Sequence, residues 1–185
     1  MLESLEIREC GKSDLKAVGS LHLEAFGHGE GTEVAALVDD LLNDPTSHPI
    51  LSLCAQHHGE TIGHVLYSSV VVEGNHPGTP ARILAPLGVI PHAQGQGVGG
   101  RLIHVGLDRL RGEGVGLVFV LGHPAYYSRS GFEPAGLLGL DAPYTLPREA
   151  QGAWMVRELN PGYLGKVRGR VRCGDALMHP RHWRE

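Results

Sequence analysis

Three deficits set the first limits on this chain. Cysteine is scarce: Cys10, Cys54 and Cys173 are odd in number and far apart, with no CxxC pair. Such spacing shows no disulfide framework and suits a reducing compartment. Long apolar runs are missing as well. None approaches the roughly 18 residues that cross a bilayer, and the acidic start "MLESLEIREC" lacks the basic-then-apolar pattern of a signal segment. The third deficit is charge of one sign. The formal net charge is −4 with no block of like charges, which argues against nucleic acid as a partner. The basic cluster "KVRGRVR", Lys166 to Arg172, alternates charge with apolar or glycine positions, the pattern of a strand with one solvated face. A cytoplasmic protein with no membrane partner is the expectation.

Histidine is plentiful, yet matched metal spacing is lacking. His57 and His58 are adjacent and so should point to opposite faces of a strand. His179-x-x-His182 lies in a Pro/Arg tail without a supporting cysteine or carboxylate cluster. No metal is expected.

What the chain does have is apolar content and glycine. Hydrophobic residues make up 42% of it, enough for a core and against disorder. One domain over residues 1–185 is expected, with a core of about 3–160 and a C-terminal extension of about 161–185. "LEIREC" alternates as a strand. A helix begins at Ser13-Asp14, "GHGEG" breaks it, and a second runs from about Thr32 to Asn43, stopped by Asp44-Pro45. "ILSLCAQHHGETIGHVLYSSVVVEG" reads as two strands turning at Gly59-Glu60. "ARILAPLGVI" and "GLVFVLG" are further strands, "PAYYSRS" a short helix ended by Gly131, and "AWMVREL" alternates again. The order predicts a mixed α/β (α+β) fold on one sheet. The Pro/Gly-rich segment Pro134 to Gly152 reads as a surface loop over the active site, lining the acceptor site with Gly27 to Gly31.

Glycine concentrates at the start of a helical pattern. Four of the six residues from Gly95 to Gly100 are glycine, although glycine costs about 1 kcal/mol inside a helix. A helix N-terminus offers unpaired N–H groups and partial positive charge, and bare glycine backbone lets an anion approach. Gly95-x-Gly97-x-x-Gly100 fits the dinucleotide pattern GxGxxG. It comes nearly half a chain late, however, and the next strand ends "VLGHP" with no acid for a ribose. A P-loop would need a lysine and a Ser/Thr where Arg101 and Leu102 stand.

Gln94-x-x-Gly97-x-Gly99 instead matches the Q/R-x-x-G-x-G/A motif of the GNAT superfamily of N-acetyltransferases. The resemblance extends through "LAPLGVIPHAQ", which looks like the family's acetyl-CoA strand, and "LGHPAYYSRSGFEPA", which looks like its second motif. It covers roughly residues 3 to 160. The "REL-NPGYL" segment resembles a subgroup of small bacterial members. The resemblance implies an acyl-CoA N-acyltransferase fold with a splayed central sheet and acetyl-CoA as co-substrate. The acetyl group would pass to a primary amine of a small molecule or peptide by direct attack in a ternary complex.

The same resemblance assigns roles. Gln94, Gly95, Gln96, Gly97, Val98, Gly99 and Gly100 would cradle the pyrophosphate. Pro86 would mark a bulge that parts two strands, so that Leu87, Gly88 and Val89 offer backbone bonds to pantetheine and the Val89 N–H polarises the thioester carbonyl. Tyr127, four residues before Gly131-Phe132, would be the general acid, with Tyr126 as packing. His123 stands where relatives often carry aspartate. Glu33 matches a position near the acceptor cleft; an acid at a helix N-terminus is also favourable by itself. Both are candidates for the base or the acceptor site. A non-catalytic acyl-CoA sensor is the opposing reading, and a homodimer is compatible with the family.

Overall fold

A computed structural model describes residues 2–184. Strand β1 (Glu6–Glu9) is followed by helices α1 (Leu15–Phe26) and α2 (Glu30–Asn43). Strands β2 (Leu51–His57), β3 (Glu60–Gly74) and β4 (Ala81–Val89) lead into α3 (Val98–Gly112). Then come β5 (Leu117–Leu121), the short α4 (Pro124–Tyr127), β6 (Glu133–Pro134), β7 (Leu140–Asp141), β8 (Trp154–Glu158) and β9 (Gly169–Cys173). All nine strands join one sheet in the order β1-β2-β3-β4-β5-β8-β6. β9 continues the β2 edge by pairing with the far half of β3, and β7 pairs β9. The pair β4–β5 is parallel, because α3 connects the two strands; their other sheet neighbours run antiparallel.

Period-two alternation sends neighbouring strand residues to opposite faces. Leu117 and Phe119 pack with Leu37, Val38 and Leu41 of α2, whereas Val118 and Val120 pack with Leu102, Ile103 and Leu107 of α3. Helix α3 lies close to the sheet because it carries glycine where the sheet is bulky. A β-carbon at Gly106 would collide with the Tyr67 ring, whose hydroxyl donates to the Ile103 carbonyl at 3.2 Å. Full burial of a residue such as Leu102 contributes about 2 kcal/mol.

Beyond about residue 160 the chain stays in the core. Arg170 and Arg172 are exposed while Val171 and Cys173 are buried, as the alternation in "KVRGRVR" predicts. Trp183 packs edge-on against Trp154, which stacks on Phe119 at 5.1 Å.

Four sequence expectations are corrected. Cys10 and Cys54 form a disulfide across the β1–β2 edge, with Cα atoms 5.5 Å apart. Antiparallel pairing brings them together from 44 residues apart, so spacing alone did not show it, and cysteine usage no longer argues for a reducing compartment. The segment Pro134 to Gly152 is not an open loop: Ala135, Leu140, Ala142, Leu146 and Ala150 are buried. His58 lies in the β2–β3 turn at φ 50°, not in a strand, and its ring meets His57 at 4.1 Å. Helix α2 starts at Glu30, a little earlier than Thr32. Among the described residues no helix is long and apolar enough to cross a membrane.

The entry to α1 is held by one ion pair. Arg8 Nη1 and Nη2 each donate to the buried Asp14 carboxylate at 2.8 Å, and the Gly11 N–H donates to it at 2.7 Å. The Arg8 bonds, then the Gly11 bond, lower the Asp14 pKa to about 2. A carboxylate depressed in the folded state stabilises above its unfolded value near 3.9, and that contribution is lost as pH falls toward the folded value. Asp14→Asn should therefore cost about 1–3 kcal/mol at neutral pH. The melting temperature of the variant should fall less between pH 5 and 2 than that of the wild type, as thermal denaturation across that range would show.

Candidate active site

β4 and β5 run side by side only briefly. They pair at Ala81↔Leu117, Arg82↔Val118 and Ile83↔Phe119, and then part. The cause lies in β4. Between Tyr67↔Leu84 and Val65↔Leu87 it carries one residue more than β3, a bulge at Ala85-Pro86. Proline cannot donate to a ladder, so the interruption is local and fixed. Beyond it the Ile90 N–H donates to the Ile62 carbonyl on β3 at 3.0 Å. The alternation of an antiparallel ladder then turns the polar backbone groups of Gly88 toward β3, and those of Leu87 and Val89 toward the open edge. The Gln94 side chain donates to the Val89 carbonyl at 2.9 Å.

The parted strands open into a cavity of about 1060 Å³. Leu87 and Val89 line one wall and Leu121, Gly122 and His123 the other. The glycine-opened end of α3 closes one side, and Phe26 and Glu30, on either side of the Gly27–Gly29 turn, close another. Gly88 lies outside the lining, as its backbone direction requires, and Gln96 turns back to donate to the His92 carbonyl.

The four loop glycines serve separate ends. Gly95 and Gly97 have φ of 73° and 83°, a backbone that L side chains rarely adopt. Gly97 caps α3, and Arg101 is the residue whose N–H closes back onto it. The N–H groups before Arg101 are the unpaired ones a helix start leaves over. A β-carbon at Gly100 would meet only open space, so bare backbone there keeps the cavity wide. At Gly99 it would collide with the Tyr126 hydroxyl.

Gly122 is bare for a similar reason: a β-carbon there would collide with the Tyr127 ring. That ring also meets Phe132 and Tyr126 edge-on, at 5.7 and 5.0 Å. Burial, then neighbouring Tyr126, pushes the Tyr127 phenol well above its ordinary value. Tyr127 therefore faces the cavity as a protonated hydroxyl at neutral pH. His123 caps α4 and lines the cavity. Glu33 does not line it. It is exposed on α2 and acts electrostatically on His182 of the C-terminal turn. Glu30, one turn earlier, is the acid that reaches the cavity.

Sequence reasoning passed over Glu30, Phe26, His104, Arg129 and Arg157, which also line it. Arg129 sits 5.1 Å over the Tyr126 ring and Arg157 donates to the Ser130 carbonyl. They come from α1, α2, α3, the turn after α4 and β8, and carry no shared local pattern. Among the described residues no group of three His, Cys, Asp or Glu is gathered as a metal would need.

Comparison with known proteins bears on this geometry. The family model for the acetyltransferase (GNAT) family matches residues 15–132. The chain belongs to the GNAT family. A GNAT relative in Escherichia coli, the uncharacterised N-acetyltransferase YjhQ, is 43% identical over 165 residues, 89% of each chain. The crystal structure of Escherichia coli YhbS in complex with CoA superimposes with a TM-score of 0.83 at 32% identity, covering 95% of this chain and 92% of that one. A GNAT acetyltransferase from Brucella melitensis in complex with acetyl-CoA gives 0.74 at 26% identity, covering 95% and 99%.

Within this GNAT site the glycines can be told apart by stability. Gly99→Val should cost about 1–3 kcal/mol through its collision with Tyr126. Gly100→Val should stay within about 0.5 kcal/mol of wild type. Denaturant titration of the two variants would measure the difference.

Proposed function

We propose that the chain transfers an acetyl group from acetyl-CoA to a primary amine, by direct attack while both are bound. The observation that carries this reading is the parting of β4 and β5. It leaves the Leu87 and Val89 backbone edge facing a cavity whose far end is a helix N-terminus stripped of side chains. A pantetheine arm has amides that can pair with such an edge, and a pyrophosphate suits unpaired N–H groups. Arg129 and Arg157 add positive charge. Two related structures hold CoA and acetyl-CoA, which supports acetyl-CoA as the co-substrate.

In this reading Gln94 to Gly100 hold the pyrophosphate. The free Val89 N–H donates to the thioester oxygen and steadies the oxyanion as the amine attacks. When the C–S bond breaks, the thiolate takes a proton from Tyr127, which lines the cavity. The acceptor would enter past the Gly27–Gly29 turn, where Glu30 offers a carboxylate to a cationic amine; His123 lies at the opposite wall. The segment Pro134 to Gly152 lines a separate cavity of about 530 Å³ together with Arg170.

Calorimetric titration with acetyl-CoA, against NADH and ATP as controls, tests the cofactor. Gly100→Val should weaken acetyl-CoA at least about tenfold while leaving the fold intact, since its side chain enters the cavity. Tyr127→Phe should leave acetyl-CoA affinity nearly unchanged and lower turnover with a responsive amine by about 10²-fold. Unchanged turnover, in an assay limited by chemistry, would remove the acid role. Binding without any turnover across an amine panel would favour an acyl-CoA sensor.

A further inference from the structure

Beneath the cavity-facing strand lies a row of buried polar groups that the reading above does not use. His22 on α1 and His64 on β3 are both fully buried. His22 Nε2 and His64 Nδ1 are 2.8 Å apart, and His64 Nε2 lies 2.9 Å from the Ser52 hydroxyl on β2. The nitrogen at the inner end, His22 Nδ1, is buried and has no hydrogen-bond partner. A buried N–H without an acceptor is the rarer defect in proteins, so that nitrogen carries the lone pair. Each Nε2–H then donates outward, from His22 to His64 and from His64 to Ser52. Burial lowers His22 to about 4 and burial, then His22, lowers His64 to about 3, so both rings are neutral at pH 7.

The hydrogen bonds orient the His22 ring, and Phe26, which lines the cavity, stacks on it at 5.9 Å. The ring's remaining edge bears on β4. A β-carbon at Gly88 would sit 2.7 Å from His22 Nδ1 and 2.9 Å from Cε1, with a Leu21 methyl next at 3.2 Å. In glycine a hydrogen takes that carbon's place and points toward the ring edge, a weak Cα–H···N contact. Gly88 also stands opposite His64 in the β3–β4 register. Having no side chain, it is the residue of this strand least able to limit its own backbone. Yet it lies between Leu87 and Val89, and its peptide link to Val89 carries the N–H that faces the cavity. A small tilt at Gly88 re-aims that donor, and an oxyanion donor is effective only when it is fixed in advance.

We propose that His22 is a positioning residue for acetyl transfer: its imidazole, oriented by His64 and Ser52, braces Gly88 and so keeps the Val89 N–H aimed at the thioester oxygen. The proposal rests on the acetyl-transfer reading. His22 itself does not line the cavity and exchanges no proton with the substrates. Gly88 and His22 form one device. The missing side chain admits the ring, and the ring supplies the restraint that a side chain would have given.

The test uses the full chain. Backbone NMR of the wild type bound to acetyl-CoA should give Gly88 and Val89 amide order parameters of about 0.85, those of a rigid strand. In His22→Ala both should fall toward about 0.6, while acetyl-CoA affinity stays within about threefold. Gly88→Ala drives a methyl into the ring and should disturb the same two amides. The double variant His22→Ala/Gly88→Ala places that methyl in the vacated space and should restore them. With hydroxylamine as the acceptor probe, each single variant should lower kcat at least about tenfold, and the double should recover to within about threefold of wild type. If His22→Ala does not fold, His22→Gln takes its place, since it keeps a donor for His64 Nδ1 but withdraws the ring from Gly88. Unchanged Gly88 and Val89 amides in the folded single variants, or a double variant no better ordered than the singles, would overturn the brace. So would a hydrogen on His22 Nδ1 in the wild type, read by two-bond proton–nitrogen NMR. Failure of the wild type to bind acetyl-CoA would instead strike the acetyl-transfer reading beneath it.

Discussion

Everything at the site depends on two neighbouring strands failing to stay paired. β4 and β5 exchange bonds at three registers and then separate, because one extra residue at Ala85-Pro86 bends β4 away. An unpaired strand edge inside a protein is costly unless something satisfies it. Here the edge at Leu87 and Val89 faces the cavity, which makes it a template for any ligand with its own amide groups. The same parting sets the geometry of the rest. It spaces Tyr127 from Val89, brings the α3 N-terminus to the cavity, and leaves Gly88 hydrogen-bonded to β3 and bare on the α1 face.

Close packing does the remaining positioning, and glycine is its instrument. Gly99 admits Tyr126, Gly122 admits Tyr127, Gly88 admits His22 and Gly106 admits Tyr67. Each aromatic or imidazole ring is seated by a missing side chain on the element opposite. In the loop Gly95 and Gly97 answer to backbone conformation, whereas at Gly100 a side chain would enter the cavity. A glycine-rich motif that looks like one anion-binding device is thus three devices side by side.

Electrostatically the site is divided. The α3 and α4 side carries Arg129, Arg157 and the helix N-terminus, which favour anions, while Glu30 stands across the cavity on α2. Between them burial holds the titratable groups neutral: Tyr127 as a phenol, His22 and His64 as imidazoles.

Much of this was legible along the chain. Alternation located β1, β8 and β9, and glycine and proline placed the ends of α1 and α2. The local pattern Gln94 to Gly100, followed by Tyr127 and Gly131-Phe132, pointed to the family and to the cavity's two main walls. These features are local, so composition and spacing carry them. What the sequence could not carry are contacts between residues far apart. The Cys10–Cys54 bridge, the choice of Glu30 over Glu33, and the meeting of His22, His64 and Gly88 each depend on register between strands or on how a helix lies across the sheet. A single-residue slip would reverse every side chain on a strand. By itself the sequence determined most of the strands and helices and the family they belong to. Only the tertiary structure decided which side chains share a space, because packing and pairing act across chain distances that no local pattern spans.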